Sequence, residues 1–338
     1  MKTVQLGRTG ENVSQLSLGC MIMGTSTDEP TAAEMLDRYV EAGGTFLDTA
    51  NCYCWWHKPG SLGGQSEELL GRWFARTGRR DDIFLATKGA AMVWEQDGIW
   101  ADPTAADWAL ARTRFEGAGA DTLRKAIDDS LRRLGTDHID LYYVHVDDRS
   151  TPLEETLEAL AGIVAAGKAR YIGWSNVSTW RLERIRQLCA TNGWPAPVAL
   201  QQQHSYLRRR AGVDTTSIVD AEQLDYLRTH DDLTLVAYSP ILKGIYDDPA
   251  KRAGHGTMAP YQGPDAEARL AVLEAVAREV GARPNQVVLA WLLRQATPTM
   301  IPLVGPRTLA QYDQAVAALD VSLTDEQAAR LDAAGADA

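Results

Sequence analysis

Eight short apolar runs, separated by amphipathic stretches of helical period, recur almost to the end of the 338-residue chain. They are Leu16–Cys20, Gly44–Asp48, Ile83–Lys88, Ile139–His145, Ala169–Ser175, Pro197–Gln201, Thr234–Ser239 and Thr299–Val304. Between them, TAAEMLDRYVEAG, SEELLGRWFARTG, ADTLRKAIDDSLRRLG, PLEETLEALAGIVAAG and STWRLERIRQLCATNG carry apolar residues at helical spacing, most closed by a glycine C-cap signal. Such alternation is the signature of repeated βα units and a parallel sheet. Eight strands and eight crossovers predict an α/β protein of one domain over residues 1–338: a (β/α)8 TIM barrel with an N-terminal β-hairpin turning near RTGEN and long βα loops.

A doubly wound dinucleotide fold fits less well. No G-x-G-x-x-G follows the first strand, and GSLGG near Gly60 precedes a helix without a strand before it. Two connections, Gly89–Gly119 with its Trp94, Trp100 and Trp108 and Ile241–Pro264, exceed plain βα loops; such loops on a barrel are usually functional lids and less often disordered insertions.

Composition narrows the function classes. A net charge of −11 with dispersed acids argues against nucleic acid or anionic membrane as a partner, so any anion the protein binds must be held locally. The N-terminal MKTVQLGRTGENVS lacks the apolar core of a signal peptide, and no run reaches membrane-spanning length, so a cytoplasmic setting is expected. Cys20, Cys52, Cys54 and Cys189 lack C-x-x-C spacing and read as reduced thiols, and the histidines lack metal-ligand spacing. Nothing in the pattern indicates a homo-oligomer.

The runs share a regularity that secondary structure does not require. Asp48, Lys88, His145, Ser175 with Asn176, Gln201 and Ser239 stand at the C-terminal end of a run or one step beyond. In a parallel barrel those ends meet at one mouth, where barrel enzymes place their chemistry. A carboxylate, an amine and an imidazole on consecutive strands exceed what solubility needs.

These residues carry a resemblance. FLDTANCY, ATK, SLRRLGTDHIDLYYVH, GWSN and IPLVGPRTLAQ resemble the aldo-keto reductase superfamily in order and spacing across nearly the whole chain. The resemblance implies a barrel that binds NADP(H) in extended form without a Rossmann fold, and a catalytic set falling on Asp48, Tyr53, Lys88 and His145. Carbonyl reduction places negative charge on oxygen, so the site needs a proton donor and aimed hydrogen-bond donors. Tyr53 is the expected acid, Lys88 the cation expected to draw its pKa toward neutrality, Asp48 the anchor of Lys88, and neutral His145 the group that orients the carbonyl.

The same resemblance assigns the cofactor contacts. Ser175, Asn176 and Gln201 hold the carboxamide. Gly19, Cys20 and Met21 line the first strand end, and Tyr238, Ser239, Pro240, Leu242 and Gly244 form the pyrophosphate segment. Gly305, Arg307 and Gln311 follow the last strand and reach the 2′-phosphate. The family usually places a stacking tyrosine three residues after the carboxamide glutamine. QQQHSYL offers two registers, Gln201 with His204 or Gln203 with Tyr206, and counting from Pro197 puts His204 there. Ala315 replaces an adenine-contacting asparagine. Trp55, Trp56 and loop tryptophans, Trp94 among them, are candidates for an aromatic substrate pocket. The leading reading is NADPH-dependent reduction of an aldehyde, ketone or sugar-like carbonyl. Alcohol or cyclitol oxidation and a cofactor-binding regulatory subunit without turnover share these residues.

Overall fold

Along a strand, successive side chains alternate sides, so in a barrel every second residue enters the interior. A computed structural model describes residues 1–213 and 215–336. It begins with an antiparallel hairpin, β1 (Thr3–Gln5) and β2 (Asn12–Ser14). The eight expected strands all form: β3 (Ser17–Gly19), β4 (Phe46–Asp48), β5 (Phe84–Gly89), β6 (Ile139–Val144), β7 (Ala169–Ser175), β8 (Ala199–Gln203), β9 (Thr234–Tyr238) and β10 (Met300–Val304). They pair in parallel in chain order, and β10 closes on β3.

The lower interior is apolar. Phe46, Phe84, Ala86, Leu141, Tyr143, Ala199, Val236, Ile301 and Leu303 form one buried cluster that includes Leu6 and Val13 of the hairpin region. The hairpin is held at the N-terminal strand ends, where Gly7 N donates to Thr234 Oγ1 at 2.7 Å and Phe46 N to Ser14 Oγ at 3.1 Å. Gly173 makes room inside: a Cβ there would lie 2.5 Å from the Tyr143 ring.

The alternate strand residues, among them Leu85, Tyr142, Ile172, Leu200 and Leu235, pack against the surrounding helices. Gly78, Gly135 and Gly193 end three of these at φ 68°, 63° and 68°, the left-handed caps anticipated. The first helix, Glu29–Glu41, starts earlier than its apolar spacing suggested because Asp28 caps it, accepting from Thr31 N at 2.9 Å.

The Gly89–Gly119 connection carries the short helix Trp108–Arg112. It is not a free flap: Met92, Val93, Ile99 and Ala111 share a buried cluster with Ala50, Cys52, Tyr53 and Trp55 of the loop after β4. Its Glu116 accepts from Asn51 Nδ2 at 3.0 Å and from Ala90 N at 3.1 Å, tying lid to loop. The four cysteines are free and buried, and no helix among the described residues is long and apolar enough to cross a membrane.

Candidate active site

Continuing the inward alternation by one step turns the apolar interior polar. Phe46 gives way to Asp48, Ala86 to Lys88, Tyr143 to His145, Gly173 to Ser175, Ala199 to Gln201 and Val236 to Tyr238. Tyr53 joins them from the loop after β4, where Tyr53 N donates to Ala50 O at 3.3 Å and turns the chain over the mouth.

Lys88 is fully buried and satisfies all three of its donors. Nζ donates to Asp48 Oδ1 at 2.5 Å, to Thr49 O at 2.7 Å and to Tyr53 Oη at 2.9 Å. The second Asp48 oxygen accepts from Gln201 Nε2 at 2.7 Å. A buried charge is tolerated when paired and fully hydrogen-bonded, and both conditions hold here. Because Tyr53 Oη accepts from the ammonium, its own proton remains free to donate elsewhere.

Electrostatics set the protonation states. Burial raises the Asp48 carboxyl, opposed by Lys88 and Gln201. Burial, reinforced by the Asp48 charge, holds the Tyr53 phenol well above its ordinary range. This corrects the expectation that Lys88 draws Tyr53 toward neutrality. The ammonium shares its field with the carboxylate 2.5 Å away, and desolvation together with the Asp48 charge outweighs it in the resting phenol. Tyr53 is therefore firmly protonated in the resting site. Burial and then Lys88 push His145 well below the usual imidazole range, so its ring is neutral.

The carboxamide candidates gather beside this set. Asn176 is left-handed at φ 54° and donates from Nδ2 to His145 O at 2.8 Å and to Ser175 Oγ at 3.1 Å. Its Oδ1 accepts from Tyr238 Oη at 2.9 Å, which puts the Tyr238 ring at the mouth.

His204 is not in the mouth. Because β8 runs on to Gln203, His204 has the outward parity of Gln202: it is buried with its ring centroid 6.4 Å from Trp291, in the helical layer. Tyr206, the other register, is also outside, edge-on to Trp291 at 5.4 Å and under the Arg269 guanidinium at 4.1 Å. Neither is placed to stack on a ring held at the strand ends.

Ser239, Leu242, Lys243 and Gly244 have φ of 51°, 45°, 60° and 83°, and a turn rich in left-handed residues forms a concavity of backbone amides suited to an anion. Pro240 lies in the same turn, its carbonyl accepting from Ser205 Oγ at 2.5 Å. Gly19 and Gly305 face each other across the seam, since a Cβ on Gly305 would be 3.6 Å from Gly19 O. Met21 is exposed at the rim, whereas the Cys20 side chain is buried and only its backbone could meet a ligand. Arg307 is exposed and has no acid partner among the described residues. Gln311 is partly committed: its Oε1 accepts from Arg307 N at 2.8 Å, while Thr308 caps the helix Leu309–Val316 by accepting from Gln311 N at 3.3 Å. Ala315 packs with Leu16, Leu289 and Ala318. A carboxamide partner set, an anion-suited turn and a free guanidinium together fit an extended nicotinamide dinucleotide.

The tryptophans divide. Trp56 is edge-on to Tyr53 at 6.1 Å and packs on Trp108 at 5.3 Å. Trp55 is fully buried behind them and is a core residue. Trp94 makes no ring contact with Tyr53, Trp56 or Trp108 and instead donates to Glu116 at 3.1 Å with Lys125 over its ring at 5.3 Å. Trp108 takes the place expected of Trp94. Its approach to Trp56 depends on an irregular loop path that no periodicity encodes.

Comparison with known proteins agrees with this geometry. Residues 15–336 match the Aldo/keto reductase family. An uncharacterized oxidoreductase, YrpG, of Bacillus subtilis is 34% identical over 96% of this chain and 93% of its own. An aryl-alcohol dehydrogenase [NADP(+)] of Phanerodontia chrysosporium is 27% identical over 94% of this chain and 81% of its own. The crystal structure of a thermostable aldo-keto reductase, Tm1743, in complex with the inhibitor epalrestat superposes with a TM-score of 0.70 at 27% identity, covering 98% of this chain and 99% of that one. With its closed parallel barrel and nearly its whole length matched, the chain belongs to the aldo/keto reductase family.

Proposed function

We propose that the protein reduces an aldehyde or ketone to the alcohol with NADPH as the hydride source and Tyr53 as the proton donor. The observation that carries this is the arrangement of Lys88: its three donors go to Asp48, Thr49 and Tyr53, leaving the phenolic proton as the one aimed at a substrate. A bound dihydronicotinamide would supply hydride to the carbonyl carbon. As the C=O π bond opens, Tyr53 gives its proton to the oxygen and Lys88 stabilises the phenolate left behind. The phenolate is then reprotonated from solvent. The high resting pKa of Tyr53 keeps it loaded as an acid, and the developing charge on the carbonyl oxygen drives the transfer. Neutral His145 donates an N–H to that oxygen and orients the substrate.

Ser175, Asn176 and Gln201 would hold the carboxamide. Tyr238, whose hydroxyl is anchored on Asn176, replaces His204 as the ring beside the nicotinamide. The 239–244 turn would take the pyrophosphate and Arg307 the 2′-phosphate, which favours NADPH over NADH because a guanidinium binds phosphate in forked geometry. Trp56 and Trp108 beside Tyr53 support a substrate with a flat face, aryl aldehydes first. The NADP-linked aryl-alcohol relative points the same way. Four free thiols suit the cytoplasm. The test is NADPH consumption with aryl, aliphatic and sugar-like carbonyls. Turnover fastest with aryl aldehydes is expected, and tight NADPH binding with no turnover on any carbonyl would overturn the reading.

A further inference from the structure

Cys52 Sγ lies 3.4 Å from Nδ1 of His145. The residue immediately precedes Tyr53 and is 3% exposed, and among the described residues its sulfur has His145 as its one hydrogen-bond partner. The same holds in reverse: among the described residues no other side chain meets Nδ1.

A neutral imidazole carries one proton, and the nitrogen that faces a donor becomes the acceptor. Burial raises the Cys52 thiol and, with Lys88, lowers the His145 ring. Both partners are thus neutral, which excludes a thiolate–imidazolium pair and leaves an S–H beside an imidazole nitrogen. The remaining nitrogen, Nε2, is then the one that carries hydrogen. The charged groups facing this pair are Lys88 on β5, bound to Asp48 on β4, and two carboxylates that act on the thiol, Glu116 of the Gly89–Gly119 connection and Glu67 of the helix Gln65–Thr77, the latter paired with Arg133; both acids favour the neutral S–H.

We propose that Cys52 is a positioning residue: its S–H donates to Nδ1 of His145 and holds the ring in the Nε2–H tautomer that hydrogen-bonds the substrate carbonyl. This rests on the reading of His145 as the group that orients the carbonyl. A thiol is a weak donor, so the effect is a bias of the tautomer and a moderate contribution to rate, separable from the proton transfer by Tyr53.

The experiment uses the full chain with NADP+ bound and the ring nitrogens of histidine labelled with 15N. Wild type and Cys52→Ser should give His145 the Nε2–H pattern. Cys52→Ala should shift population toward Nδ1–H and lower kcat for an aldehyde about 3- to 10-fold, with NADPH affinity unchanged and the loss restored in Cys52→Ser. Cys52→Val, which fills the space without a donor, carries the same test should the alanine variant fail to fold. If either the tautomer pattern or kcat is unchanged in the donorless variant, or wild type itself shows Nδ1–H, the proposal is overturned. The NMR readout needs no turnover, so a protein inactive on every carbonyl would refute the proposed function while still deciding whether the thiol sets the tautomer.

Discussion

The two ends of this barrel use the same strands and the same alternation to opposite effect. At the lower end Phe46, Phe84, Leu141 and Val236 meet in an apolar cluster under the hairpin. Two residues along the same strands stand Asp48, Ala86 then Lys88, Tyr143 then His145, and Tyr238. The lower layer holds the fold through buried apolar area. In the upper layer, an ion pair of this burial roughly breaks even against its desolvation, and its geometry leaves the phenolic proton of Tyr53 unassigned. Substitutions at the two ends should therefore be read in different observables.

The sharpest break is Lys88→Met. Carbonyl reduction should fall by more than about 1000-fold, because the phenolate loses its cation, and urea unfolding should show about 3–5 kcal/mol less stability, because Asp48 is left buried without its partner. Phe46→Ala at the lower end should cost a comparable 3–5 kcal/mol or so in stability yet keep kcat and KM within a few-fold.

His204 sharpens the comparison from outside the barrel. Burial, with Arg269, pushes its ring down to about 4, so the folded state binds fewer protons than the unfolded chain between that value and the ordinary value near ~6.5. Stability is then full above pH ~6.5 and is lost as pH falls toward 4, by on the order of 3 kcal/mol. Denaturant titrations at several pH values should show this slope in wild type and lose much of it in His204→Leu, with cofactor affinity unchanged in both. The smallest effect belongs to the rim: Arg307→Ala should weaken NADPH by about 1.5–3 kcal/mol and NADH far less, read by fluorescence titration. Equal weakening of both would make Arg307 structural.

The same alternation explains what the sequence reveals and what it hides. Every strand and the Asp48, Lys88, His145 and Ser175 ends are legible because an apolar run that stops on a polar residue marks where a strand reaches the mouth. Tyr53 is legible only through its family motif, since it lies in a loop. His204 misleads because its placement depends on parity: β8 continues past Gln201 to Gln203, and an even step beyond an inward residue points in while an odd step points out. Val236 is inward, so Tyr238 is too. Trp94 and Trp108 cannot be separated by spacing, because the connection between β5 and the next long helix folds through tertiary contacts with residues 50–55. Gln311 reads as a ligand contact from its motif, but a side chain in the first turn of a helix can also fold back on the preceding loop, and here its oxygen accepts from Arg307 N.

If the upper layer delivers the Tyr53 proton as proposed, single-turnover reduction by Tyr53→Phe must show it. NADPH should bind within a few-fold of wild type, because Ser175, Asn176, the 239–244 turn and Arg307 are untouched. The rate of carbonyl reduction by bound NADPH should fall by more than about 1000-fold. A Tyr53→Phe protein that binds NADPH normally and turns over at the wild-type rate would show that Tyr53 is not the proton donor.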